Sequence, residues 1–385
     1  MAFDFDICGL KVGDDHPVRL MGVINLSQES FYKNSVIDKD SIVNTAQKMV
    51  DEGATMIDVG GRSTWLLAEK ITKEQETERL LPALEELEGN VDAVISVDTM
   101  FADIAEESLN RGADVVNDVS GFTADSNMVG LVADYGCPAV VMASNKSPGD
   151  PIGMDAVMNS LDSIIKKAES RGIDPGKLIL DPAFGKWVPE KDPIYDFETA
   201  DQFERLKIFE KPLLAAVSRK SMVGAVIDKP ANERLYGSLA ATSIVVHKGA
   251  NIIRTHDVAQ TKDVADVAKA IRSRKPYSRK NGYDVSVLDI IHPSDAAYIM
   301  QSIGTTVTGS NVMKKKSVNR VLKIDNITTT EALILKQEML ARGGDAAISR
   351  DAVSHEDEST DIIIMGTLLQ IERLVEKLSY QARNL

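Results

Sequence analysis

The chain has 385 residues, 43% of them hydrophobic, a mean hydropathy of -0.12 and a formal net charge of -14. That length suits two domains, or a large one with an appendage, and the negative charge argues against broad binding to a nucleic-acid backbone. No apolar run approaches the 18 or so residues of a membrane span, and the N-terminus lacks the basic start and apolar core of a secretory signal, so a cytoplasmic protein is expected.

Cys8 and Cys137 are the only cysteines and stand far apart, and none of the five histidines has metal-ligand spacing with another. Neither a disulfide framework nor a His/Cys metal site is therefore expected.

From the N-terminus to about Ser273 one unit repeats: a short β-branched run, a polar loop, then an amphipathic segment. Strands are expected at Val18 to Leu26, Thr55 to Val59, Ala93 to Val97, Asp114 to Val116, Ala139 to Met142, Lys177 to Leu180, Leu213 to Val217 and Asn251 to Ile253. Helices are expected near Asp38 to Asp51, Lys73 to Leu87, Asp155 to Ser170 and Gln260 to Ile271. Eight strands with intervening helices match an α/β (β/α)8 TIM barrel over residues 1–273. A doubly wound open sheet competes, but no Gly-x-Gly-x-x-Gly follows the first strand.

Residues 274–283, basic and holding Pro276 and Gly282, read as a linker. Residues 284–385 then read as a smaller α/β domain. Its expected strands are Val285 to Ile290 and Asp361 to Gly366, and its helices Ser294 to Ile303, Thr330 to Ala341 and Thr367 to Leu378.

Most barrel strands end in a polar group, and in a barrel these ends face one mouth. They are Asn25, then Ser63 and Thr64, Asp98, Asn117 and Asp118, Asp181, Ser218 to Ser221, and Arg254 with His256. Any one alone reads as a satisfied loop residue; seven strands together point to a ligand. Asp98, Asn117 and Asp181 suit a flat heterocycle with adjacent N–H donors. Lys220, Arg254 and His256 are donors for phosphate.

The pieces Met21 to Asn25, Ile57 to Gly61, Ser63-Thr64, Ser96 to Thr99, Asn117 to Gly121, Leu180 to Pro182, Ser218 to Ser221, Glu233-Arg234 and Arg254 to Val258 resemble the dihydropteroate synthase family of pterin-binding TIM barrels. They keep the family's order over residues 18 to about 272. The resemblance implies a transferase that condenses 6-hydroxymethyl-7,8-dihydropterin pyrophosphate with an arylamine and releases pyrophosphate. It implies Asp98, Asn117, Asp181 and Lys220 on the pterin, and Asn25, Arg254 and His256 on the pyrophosphate, with Asn25 also holding Mg²⁺. Arg62, Ser63, Thr64 and Ser221 fall to the arylamine; Asp98, Lys220 and Arg254 are the expected catalytic residues. The expected partners are these small molecules and, in a homodimer, a second copy of the chain.

Departures from the family pattern fall on loops 27–35 and 62–68 and on Met142-Ala143 and Asp181 to Lys186. They resemble archaeal relatives and leave two acceptors open: p-aminobenzoate for folate, or a ribofuranosyl-aminobenzene phosphate for a methanopterin, whose phosphate Arg62 or Lys33 would meet. A pterin-dependent methyltransferase acting on a corrinoid protein and a non-catalytic pterin-binding protein are the rival readings. In the last domain, Ile334 to Leu340, Gly343 to Ala347 and Met365 to Thr367 resemble an accessory domain that precedes the barrel in some bacterial members.

Overall fold

A hairpin absent from the sequence expectation opens the chain: β1 (Asp4–Ile7) pairs antiparallel with β2 (Leu10–Gly13). Its turn residues Cys8 and Gly9 both have positive φ, 50° and 85°, as a two-residue turn between twisted strands requires. The computed structural model describes residues 4–27, 41–63, 71–272, 277–281, 283–354 and 358–380, in two units, Met1–Lys275 and Pro276–Leu385.

The first unit continues with β3 (Arg19–Asn25), α1 (Ile42–Asp51), β4 (Met56–Gly60), α2 (Lys73–Leu87), β5 (Val94–Asp98), α3 (Ala102–Leu109), β6 (Val115–Asp118), α4 (Met128–Tyr135) and β7 (Ala139–Met142). Then come α5 (Met154–Ser170), β8 (Leu178–Asp181), α6 (Pro193–Asp201), β9 (Leu214–Ala215), α7 (Ser221–Ile227), α8 (Leu235–Lys248), β10 (Ile252–Thr255) and α9 (Val258–Ile271). The eight strands from β3 to β10 form one parallel sheet in the order β8-β7-β6-β5-β4-β3-β10-β9. A parallel bridge between Leu180 and Leu213, and the Leu180 N–H donating to the Pro212 carbonyl at 2.9 Å, join its ends. The TIM barrel expected from the sequence is the fold.

Alternation along the strands sorts the interior into layers. Met21, Met56, Val94, Val115, Ile179, Leu214 and Ile252 form an apolar floor with Ile7 and Val12 of the hairpin. Two residues further along the same strands stand Val23, Asp58, Ser96, Asn117, Asp181, Ala216 and Arg254. The hairpin therefore closes one end of the barrel, and the polar layer sits on a dry floor.

Helix starts follow from capping. Thr72 and Gln75 make a reciprocal capping box at the start of α2, satisfying amide donors that a first turn leaves without partners. That is why the expected span of α2 coincides with the observed one.

The second unit holds β11 (Tyr277–Lys280), β12 (Tyr283–Ser286), α10 (Pro293–Ser302), α11 (Val307–Met313), β13 (Asn319–Thr328), α12 (Thr329–Leu340), β14 (Asp345–Ile348), α13 (Arg350–Ser354), β15 (Ser359–Thr367) and α14 (Leu368–Ser379). The stretch read as linker departs from expectation: within it β11 pairs antiparallel with β12. Its Lys and Arg content, with Pro276 and Gly282, reads as linker and hid the strand. β13 was also missed, because only every few residues of it are covered, which blurs the two-residue period. It flanks β15, as does β14, in the sheet order β13-β15-β14. Ala332, Leu335, Met339, Ala346, Ile362, Ile364 and Leu374 make this unit's own core. No described helix of either unit is long and apolar enough to cross a membrane.

Candidate active site

Above the apolar floor a cavity of about 600 Å³ opens at the carboxyl ends of the strands. Asn25, Arg62, Ser63, Asp98, Asn117, Asp181, Lys220, Ser221, Arg254 and His256 all line it. The barrel thus brings together every expected site residue except Thr64, which, like Lys33, lies outside the described residues.

The centre of the site is a carboxylate to which the sequence assigned no role. Asp58, completely buried in β4, accepts from Arg254 Nε at 2.6 Å through Oδ2. Its Oδ1 accepts from Ser96 Oγ at 2.6 Å, and Asn117 Nδ2 stands 3.2 and 3.1 Å from the two oxygens. Arg254 Nη2 also donates to Asp98 Oδ2 at 2.9 Å. Asp58 therefore orients the cation and the amide that face the cavity. A carboxylate between Ile57 and Val59 on an otherwise apolar strand was the available signal, since such a charge is tolerated only when paired.

Burial and the neighbouring Asp58 push the Asp98 carboxyl up to about 7, against the pull of Arg254. Burial also raises Asp181, opposed by the Ala183 N–H that donates to its Oδ1 at 2.7 Å and by Lys220 and Arg254. Burial and the Arg254 charge bring the Lys220 ammonium down to about 8. Burial, then Arg254, Lys220 and Arg219, lower His256 to about 3, so in the ligand-free site its ring is neutral and keeps one N–H to donate. Its Nδ1 lies 3.0 Å from Ser218 Oγ.

Of the cations in Ser218 to Ser221, Arg219 turns out of the site. It sits at φ 56°, grips Asp257 with two donors at 2.9 and 2.6 Å, and gives others to the carbonyls of Ala231 and Asn232. It ties the loop after β9 to the loop after β10. Lys220 faces the cavity, and Ser221 Oγ is buried with no hydrogen-bond partner among the described residues.

Arg62 lines the cavity, but its donors point at Glu76 Oε2 (2.5 Å) and at the carbonyls of Ile71 (2.8 Å) and Thr72 (3.3 Å). Glu76 is completely buried and also accepts from Thr99 Oγ1 at 2.7 Å. Trp187 and Phe184, in the loop after β8, line the cavity as well. Nothing periodic in that loop marked them.

Asn25 Oδ1 accepts from the Ser27 N–H (3.0 Å) and Oγ (2.7 Å). Among the described residues no group of three His, Cys, Asp or Glu could hold a metal ion. Asn25 Oδ1 is a hard oxygen at the cavity whose two lone pairs are taken by Ser27, so it could reach a Mg²⁺ held mostly by substrate phosphates and water only by giving up one of these bonds.

A closed parallel barrel with buried carboxylates, an oriented amide and cations around one cavity at its carboxyl mouth defines a TIM-barrel enzyme for a polar, anionic small molecule. The chain belongs to the pterin-binding enzyme family, whose model matches residues 21–256, and within it to the dihydropteroate synthase group of transferases. It is 32% identical over 259 residues to the dihydropteroate synthase of Clostridium beijerinckii, covering 66% of this chain and 94% of that protein. The structure of a Coxiella burnetii dihydropteroate synthase in complex with pteroic acid matches with TM-score 0.63 and 31% identity, over 71% of this chain and 99% of that one. A Xanthomonas albilineans dihydropteroate synthase with 4-aminobenzoic acid matches with TM-score 0.63 and 30% identity, over 71% of this chain and all of that one.

Proposed function

We infer that this chain condenses 6-hydroxymethyl-7,8-dihydropterin pyrophosphate with p-aminobenzoate in folate biosynthesis. The observation that carries the reading is the gathering of Asp98, Asn117, Asp181, Lys220 and Arg254 around one cavity. Asp181 and Asn117 would hold the pterin by paired hydrogen bonds, with Lys220 donating to its carbonyl. Arg254 and His256 would receive the pyrophosphate; Arg254 Nη1 has no hydrogen-bond partner among the described residues.

In the reaction the methylene C–O bond breaks and its electron pair leaves on pyrophosphate. A C–N bond forms to the arylamine, whose surplus proton passes to water. Asp98 stabilises cationic character at the methylene and Arg254 the charge on the leaving group. Mg²⁺, held by Asn25 and the diphosphate, would add neutralisation of that charge. Ser221 would orient the amine, which needs positioning more than activation.

The acceptor reading favours p-aminobenzoate, because the Arg62 guanidinium already serves Glu76 and two carbonyls. Pyrophosphate release with Mg²⁺, measured with p-aminobenzoate and with the ribofuranosyl-aminobenzene phosphate, tests it; p-aminobenzoate should be turned over efficiently. Release with the phosphorylated arylamine alone would overturn the acceptor. Pterin binding without release would overturn catalysis.

The pH dependence follows from the two shifted groups. Asp98 is ionised only above about 7 and Lys220 charged only below about 8. The profile of kcat/KM should rise through the first value and fall through the second, a narrow bell. A profile flat from pH 6 to 9 would rule out these assignments.

A further inference from the structure

Behind the cavity wall lies a buried ion pair that no step above uses. Lys191 and Asp196 are 3% and 2% exposed, and Lys191 Nζ stands 3.2 Å from Asp196 Oδ1, without hydrogen-bond geometry. Each charge has a second contact on the loop after β8. Lys191 Nζ donates to the Ala183 carbonyl at 2.5 Å, and Asp196 Oδ2 accepts the Gly185 N–H at 2.9 Å. The two anchors flank Phe184. Ala183 and Gly185 have φ of 68° and 114°, a region that residues other than glycine seldom adopt, so Ala183 needs its surroundings to hold it.

This held backbone lies against Lys220. A Cβ added at Gly185 would meet Lys220 Cδ at 3.2 Å and Nζ at 3.4 Å. The Trp187 ring, whose Nε1 donates to the Phe184 carbonyl at 3.0 Å, has its centroid 5.4 Å from Lys220 Nζ. Loop backbone and indole ring thus bound the path of the lysine.

We propose that the Lys191–Asp196 pair positions Lys220: by fixing the Ala183 and Gly185 backbone it sets where the ammonium stands in the cavity. The charged groups that act on that ammonium are Arg254 of β10, Asp181 of β8, Asp196 of α6 and Lys191 of the connecting loop, with His256 also nearby. The pair therefore bears on both the place and the charge of Lys220. Neither residue lines the cavity, so both act through Lys220.

The inference rests on the transferase reading, and turnover by the unaltered protein tests that reading separately. Lys191→Met and Asp196→Asn, checked for folding by circular dichroism, should each lower kcat/KM for dihydropterin pyrophosphate about 10–100-fold, the scale of a small misplacement of a catalytic group. KM for p-aminobenzoate should stay unchanged. The alkaline limb should move in opposite directions: down in pH for Asp196→Asn, which removes an anion favouring the ammonium, and up for Lys191→Met, which removes a cation opposing it.

Unaltered kcat/KM overturns the proposal, and so does a loss of activity with both limbs unmoved. If Asp196→Asn does not fold, Asp196→Glu keeps the charge and displaces Gly185. It should lose activity with its limb in place, and full activity there overturns the proposal. If the unaltered protein shows no turnover, calorimetric titration with dihydropterin pyrophosphate carries the test. Equal affinity in both variants then overturns it.

Discussion

Arg254→Met should lower kcat/KM for the pterin substrate by about 10²–10³-fold, the usual effect of removing one preorganised donor from developing negative charge. It should also destabilise the fold. Arg254 stands 2.6 Å from Asp58 and 2.9 Å from Asp98, with side-chain exposures of 20%, 0% and 14%. Removing one partner of such a buried pair costs about 3–5 kcal/mol.

The pH dependence of that loss has a definite sign. Asp98 is already raised from 3.8 to about 7, and loss of the cation raises it further. A carboxyl raised in the folded state costs no stability below its unfolded value. It costs progressively more as pH climbs through the folded value. The melting temperature of the variant should therefore fall furthest behind the unaltered protein above pH 7 and approach it near pH 4. A gap independent of pH would mean that Arg254 does not neutralise Asp98.

Asp58→Ala should be the most destabilising single change in the polar layer. It leaves Arg254 Nε, Ser96 Oγ and Asn117 Nδ2 without their common acceptor in the barrel interior. At about 3–5 kcal/mol, and about 2–4 °C per kcal/mol for a unit of this size, the melting temperature should drop by roughly 10 °C. Pterin affinity should fall with it, because Asn117 and Arg254 lose their orientation. Asp58→Asn keeps one acceptor oxygen and should lie between the two. A melting temperature within about 2 °C of the unaltered protein for Asp58→Ala would show that the layer is held by other contacts.

The barrel strands were legible because a strand buried on both faces is apolar wherever no partner waits for a polar group: β7 is apolar throughout, β4 everywhere but Asp58 up to its closing Gly60, and β6 until Asn117. The polar ends Asp98, Asn117, Asp181 and Arg254 were legible as interruptions of those runs. The hairpin β1–β2 was not, since its four-residue strands alternate too briefly to register. β13 was lost for a related reason: ladder hydrogen bonds to β15 hold it, and these leave no trace in side-chain type.

Within the site, the sequence by itself determined which residue types gather at the strand ends. Chain order places Asn25, Asp98, Asn117, Asp181 and Arg254 toward the carboxyl ends of β3, β5, β6, β8 and β10, with Lys220 in the loop after β9, and parallel pairing then puts them at one mouth. Only the tertiary structure decided what each does there. Asp58 and Arg254 are 196 positions apart in sequence and 2.6 Å apart in space. Arg62 and Arg219 look like free cations in sequence but are taken up by Glu76 and Asp257. Charge, protonation and orientation depend on distance and burial, and both are set by which strands and loops the closed barrel makes neighbours.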